Sequence, residues 1–262
     1  MAVVADRTSA VAWVRVGRYS GCVAAAAFLT GTVLYLLDAM HALGAGPAFH
    51  KTAAGPVHDE ATYWVGYFAH QHHILWDIIA RDTLLPLAFL ATIVLSLAVA
   101  NTLGWSQPAV QLTVAFFFVG GMLAAVADLT YLAGTEYWRL TGWSTGNAVG
   151  MVAVGRASGA VDTLTRWPEV AGFITLAVGL AFLGRLCRTR DELPSTLGLL
   201  VSVEALLLVG AALGSALHSD TTYNVFSLLT GALVGPAVAL WLGLRLEQPR
   251  GEPEVLRPSP AI

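Results

Sequence analysis

Residues 70–100 read HQHHILWDIIARDTLLPLAFLATIVLSLAVA. The first thirteen positions hold three histidines, two aspartates and an arginine, while 83–100 hold no charge at all. As a helix rising 1.5 Å per residue, that uncharged run covers about 27 Å, close to the thickness of a bilayer's hydrocarbon core. The stretch therefore reads as a membrane span with a polar cluster at its mouth.

The rest of the chain agrees. It is 56% hydrophobic and only 12% charged, half the charged share of a soluble domain, which is about 25%. Too little polar surface remains to cover a water-soluble globule, and the apolar residues come in long runs. Six spans are expected near 19–43, 73–101, 108–133, 168–187, 195–218 and 223–246. The fold class is an all-α, polytopic membrane bundle, with a short N-terminus over 1–18 and a proline-rich, disordered tail over 247–262. Pro168 is placed in the first turn of the fourth span, where its missing N–H costs nothing. Pro236 is expected to kink the sixth, and Gly120, Gly121 and the small residues of 231–237 to permit close helix packing.

The cationic residues suggest an orientation. With the N-terminus in the cytoplasm, nine of the fourteen Lys and Arg residues lie inside (Arg7, Arg15, Arg18, Arg185, Arg188, Arg190, Arg245, Arg250 and Arg257). Lys51, Arg139, Arg156 and Arg166 lie outside, as the positive-inside rule prefers. Both termini are then cytoplasmic, in the cell (plasma or inner) membrane. Cys22 and Cys187 are too few for a disulfide framework and read as small apolar fillers. Arg15 and Arg18 precede the lipoprotein-like Tyr19–Cys22 stretch, so the first apolar segment is expected to be a retained helix rather than a cleaved signal. No basic tract suggests nucleic acid. The lipid bilayer is the expected partner, with a second membrane protein or another copy of the chain as further candidates.

Two outer loops are expected, over 44–72 and 134–167. The second contains GNAVGMVAVGRASGAVDTL, whose glycines, Arg156 and Asp162 argue for an interfacial or re-entrant segment rather than a seventh span. Tyr63, Trp64, Tyr67, Trp138, Trp143 and Trp167 read as an aromatic belt, or alternatively as a lid over an apolar substrate.

All seven histidines fall on the outer side in this topology. Counting depth from the inner ends puts Asp38, Asp128 and the Arg81–Asp82 pair in one layer near the outer boundary, implying a water-accessible vestibule. On one straight helix His70, His73, Asp77 and Arg81 share a stripe roughly 80° wide. Asp38 and His41 share a face of the first span. Together with His218, the residues His41, His70, His73 and Asp77 form a candidate ligand set for a divalent Zn, Fe, Mn or Cu ion. A haem is the weaker cofactor candidate, because the inner side offers no paired histidines. The competing structural reading has Asp77 and Arg81 as an i,i+4 ion pair, with Arg81 also reaching Asp38 or Asp128.

Asp38, Asp128 and Glu204 are the acid–base candidates, while Arg81, Asp82 and Asp77 are a substrate relay or an ion pair. Glu204 is the deepest ionisable group, in the middle of the fifth span, and its fourteen-residue spacing from His218 returns both to nearly one helix face. Three function classes follow: a membrane enzyme or metalloprotein with an outward site, a small proton-coupled transporter using Glu204, and a non-catalytic membrane subunit. HxxHxxxD matches no metalloenzyme motif, HExxH included.

Overall fold

The computed structural model describes residues 2–44, 46–142, 147–190 and 193–246. The tail over 247–262 and Trp143 lie outside them, and the Trp138 and Arg139 side chains are likewise not described.

The elements are α1 (Ala2–Ala39), α2 (Pro56–His73), α3 (Leu75–Leu103), α4 (Pro108–Gly142), α5 (Ala148–Thr189), α6 (Ser195–Ala216), α7 (Asp220–Leu228), a π turn (Leu229–Val234) and α8 (Gly235–Arg245). Among the described residues there is no strand. Six segments are long and apolar enough to cross a bilayer: Val11–Ala39, Leu75–Leu103, Pro108–Gly134, α5, α6 and the composite Asp220–Arg245. The chain is an all-α, multi-pass membrane protein. Large apolar side chains such as Leu206, Leu213 and Phe118 stay more than half exposed on the bundle's outside, as a lipid-facing surface requires.

The spans form a ring in chain order. α1 packs on α3, α3 on α4, α4 on α5 and α5 on α6; α6 packs on α7, and α8 closes back on α1. Very small residues set the closest seams. A Cβ on Gly172 of α5 would lie 2.9 Å from the Ala124 amide nitrogen of α4, and one on Gly120 would lie 2.7 Å from the Leu176 nitrogen. The two backbones therefore meet with no room for a side chain, which is how membrane helices gain contact without a hydrophobic driving force. At the other seam, a Cβ on Gly21 of α1 would lie 2.6 Å from the Ala239 carbonyl oxygen. The close packing expected at Gly120 and Gly121 is present.

Two expectations change. First, the fourth span does not start at Pro168. α5 begins at Ala148, so Pro168 lies inside a 42-residue helix. At 1.5 Å per residue this helix is about 63 Å long, twice the hydrocarbon core. Three contacts hold its glycine-rich first half. Asn147 caps it, accepting from the Gly150 amide at 2.7 Å, Gly155 lies against the Trp64 ring, and Arg156 grips Glu60 through two bonds of 2.8 and 2.7 Å.

Second, most of the first outer loop is helical. α2 lies against α5, and Tyr63, Trp64, Tyr67 and Phe68 pack ring on ring, with Phe49 against Tyr63. Its entry is fixed by Asp59, whose carboxylate accepts from the Thr52 amide at 2.9 Å and the Thr52 hydroxyl at 2.5 Å. Those bonds hold the Asp59 carboxyl below the usual aspartate range.

At Pro236, where a kink is expected, the last span is interrupted by the π turn just before the proline. Proline cannot donate to the carbonyl four residues back, and the wider turn takes up the mismatch. As for the cysteines, Cys187 is buried as a filler, whereas Cys22 is exposed on α1.

Candidate functional site

The ring encloses two adjoining cavities. The larger, about 540 Å³, lies at the end of the bundle where α1 finishes and α3 and α7 begin; the smaller, about 120 Å³, lies deeper between the same helices. Tyr35, Leu85, Asp128, Glu169 and Tyr223 belong to the walls of both.

Arg81 organises the first wall of the larger cavity. Its Nε donates to Asp82 Oδ1 at 2.6 Å and its Nη2 to Asp82 Oδ2 at 3.3 Å. Its Nη1 donates to Asp38 Oδ2 at 3.3 Å, and its guanidinium carbon lies 5.7 Å from the centre of the Tyr35 ring. Asp38 Oδ1 is 3.4 Å from His70 Nε2. Arg81 and Asp82 are buried, and a guanidinium removed from water needs such partners. The expected Asp77–Arg81 pair is thus replaced by Asp82 and Asp38.

The chain turns at Ile74 (φ −100°, ψ 23°) between α2 and α3, so a stripe counted along one straight helix is not preserved. Its two ends, His70 and Arg81, still converge on Asp38, while His73 is exposed on its own side of the turn.

The opposite wall comes from α5, α6 and α7. Arg166 donates to Asp162 Oδ2 at 3.2 Å and also to His218 Nδ1. Glu169 accepts from the Tyr223 hydroxyl at 2.6 Å and the Ser215 hydroxyl at 3.1 Å. Tyr35 donates to Asn224 Oδ1 at 2.6 Å and stands edge-on to Tyr223. Asp128 Oδ2 is buried with no hydrogen-bond partner among the described residues.

Carboxyl groups outnumber basic side chains in this wall. Asp38, Asp82, Asp128, Asp162, Glu169 and Asp220 line this cavity against two guanidinium groups, Arg81 and Arg166, and the imidazole of His218. Both guanidinium groups already face carboxylates. What the cavity offers a visitor is therefore acceptor oxygen.

The proposed metal ligands are not assembled. His70 faces Asp38 and His218 faces Arg166, whereas His41 follows α1 with its side chain exposed. Asp77 is half-buried near the start of α3. Among the described residues no three His, Cys, Asp or Glu side chains are arranged to hold a metal ion. Glu204 is 5% exposed and lines the deeper chamber. α6 ends at Ala216, and His218 sits past it with a left-handed backbone (φ 53°), so the helical spacing between Glu204 and His218 does not run its full length.

Glu169, Tyr35 and Tyr223 are not among the site residues expected from the sequence. The signal for Glu169 was present: it stands beside Pro168, and counting from the inner end of the fourth span puts it level with Asp128. With Pro168 at a helix start, Glu169 would be an ordinary first-turn acid. The tyrosines carry no charge, and nothing in their spacing separates them from interfacial aromatics.

No family model, no curated protein and no solved structure matches this chain.

Proposed function

We propose that this membrane protein binds a small organic cation in the vestibule at the Asp38–Arg81 end of the bundle, with that end facing away from the cytoplasm. The observation that carries this reading is the excess of carboxylates over guanidinium groups in a cavity of about 540 Å³, within the size range of small-molecule sites. Arg81 and Arg166 act as structural clamps that neutralise part of the wall, leaving Asp128 and Glu169 to receive an ammonium or another strong donor. Tyr35 and Tyr223 supply ring faces and edges next to them. The distribution of arginines supports the orientation.

Thermal-shift titration of the detergent-purified protein tests the reading, with matched sets of small ammonium, neutral and carboxylate compounds. Selective stabilisation by the ammonium members is expected, because a ligand that binds only the folded state raises its melting temperature. Equal response to all three sets, or stabilisation by the carboxylates, overturns it.

A second reading is favoured by the wall shared between the two cavities, which sets polar groups from the vestibule down to Glu204. In this reading the protein couples proton movement to transport through Glu204. Its test is uptake and proton flux in proteoliposomes, where Glu204→Gln is expected to abolish coupling and an unchanged flux excludes it.

A further inference from the structure

The deeper chamber has a chemistry of its own. Its wall is mostly aromatic and aliphatic, with Phe28, Phe89, Phe117 and Phe173 among the lining residues. Four polar atoms of lining residues are nevertheless buried without a hydrogen-bond partner among the described residues: Glu204 Oε2, Thr230 Oγ1, Ser227 Oγ and Asp128 Oδ2. Buried polar groups are nearly always paired, and leaving one unpaired costs about 1–3 kcal/mol. Three of the four come from two facing elements, α6 and the α7–π-turn segment. The π turn carries Thr230, and a Cβ on Gly235 just after it would lie 3.1 Å from Glu204 Oε1. Glu204 is thus held against the irregular part of the last span, and in α-helices such turns occur often at functional sites.

We infer that this chamber is a second binding site, which takes a ring-sized apolar group bearing a hydroxyl or amine. Its volume of about 120 Å³ is comparable to the apolar cavity of about 150 Å³ that accepts benzene in an engineered protein. The aromatic walls select the ring. The donor group points at Glu204 and pairs with the Thr230 and Ser227 hydroxyls, so a hydrocarbon of the same shape leaves those atoms unpaired and binds less well. The shared wall at Asp128 and Glu169 gives such a ligand a route from the vestibule. The inference rests on Glu204, Thr230 and Ser227, none of which the cation reading of the vestibule uses, and so stands apart from it.

Photolabelling of the full-length protein in lipid nanodiscs tests it, with a diazirine-bearing benzyl alcohol and its methyl ether as the two probes and peptide mass spectrometry as the readout. The alcohol is expected to label α3 and α5 peptides carrying Phe89 and Phe173. Excess benzyl alcohol competes this labelling away and excess toluene does not. Glu204→Leu is expected to reduce labelling about fivefold, the worth of one net hydrogen bond, and Ser227→Ala with Thr230→Val to reduce it further. Glu204→Gln, which keeps the shape and one acceptor, guards against misfolding and retains most of the label. Equal labelling by the methyl ether, competition by toluene, absence of label from the chamber, or no effect of Glu204→Leu each overturns the inference. Ammonium binding in the vestibule is a separate readout and fails or succeeds independently.

Discussion

Arg81 of α3 donates to Asp38 of α1 at 3.3 Å, forty-three positions apart in sequence. This bond ties the first two spans together at the mouth of the vestibule and leaves Asp38 and Asp82 sharing one buried cation.

Arg81→Met removes that cation while keeping the side chain's length. Asp82 then loses its cation and Asp38 keeps only the His70 ring, and breaking a buried pair in this way typically costs about 3–5 kcal/mol. We predict a clear fall in melting temperature in detergent, partly restored by adding Asp82→Asn. An unchanged melting temperature would show that the Arg81 cluster does not hold the helices together.

Gly172→Val tests the α4–α5 seam. A Cβ at Gly172 already falls 2.9 Å from the Ala124 nitrogen, so the helices must part, at a cost of about 1–3 kcal/mol for overpacking. Thermal unfolding is expected to shift down by that amount. A comparable branched substitution at lipid-exposed Leu206 is expected to have little effect.

His41 and His218 have φ of 59° and 53°, a left-handed backbone that costs a side-chain-bearing residue about 1–2 kcal/mol. His41→Gly is therefore predicted to stabilise the protein by up to about 1 kcal/mol, the remainder being offset by the freer unfolded chain. His218→Gly gains the same backbone relief but removes the acceptor facing Arg166, so its net gain is smaller. Equal gains from the two substitutions would mean that the Arg166–His218 contact contributes nothing.

Asp59 gives the entry to α2 a pH dependence. Its folded pKa is depressed by the Thr52 donors, so its contribution is complete above the ordinary aspartate value of about 4. That contribution is lost as pH falls through the lower folded value. Hydrogen exchange of amides over 50–60 is predicted to accelerate in that acidic window, and Asp59→Asn is predicted to show the fast exchange already at neutral pH. Identical exchange in both proteins at neutral pH would contradict this.

Particular residues show how far the sequence could be read. The uncharged run over 83–100 is legible because a bilayer demands length and apolarity, and both are visible in one dimension. Asp38, Arg81, Asp82 and Asp128 could be brought to one layer because depth is counted from helix ends, and straight rise is a reliable ruler. Rotation is less reliable: the turn at Ile74 separates His73 from Arg81. Pro168 misled for a related reason. Proline is tolerated in a helix's first turn and in the interior of a long membrane helix alike, and misplacing it hid Glu169.

Cation binding at Asp128, whose Oδ2 has no hydrogen-bond partner among the described residues, is the core of the proposal. Its most direct test is isothermal titration of the best-stabilising small ammonium compound into purified wild-type protein and Asp128→Asn. At least about tenfold weaker binding by the variant is expected, the equivalent of one lost charge-assisted bond of roughly 1.4 kcal/mol or more, with a melting temperature that does not fall. Equal affinity for the two proteins would contradict it.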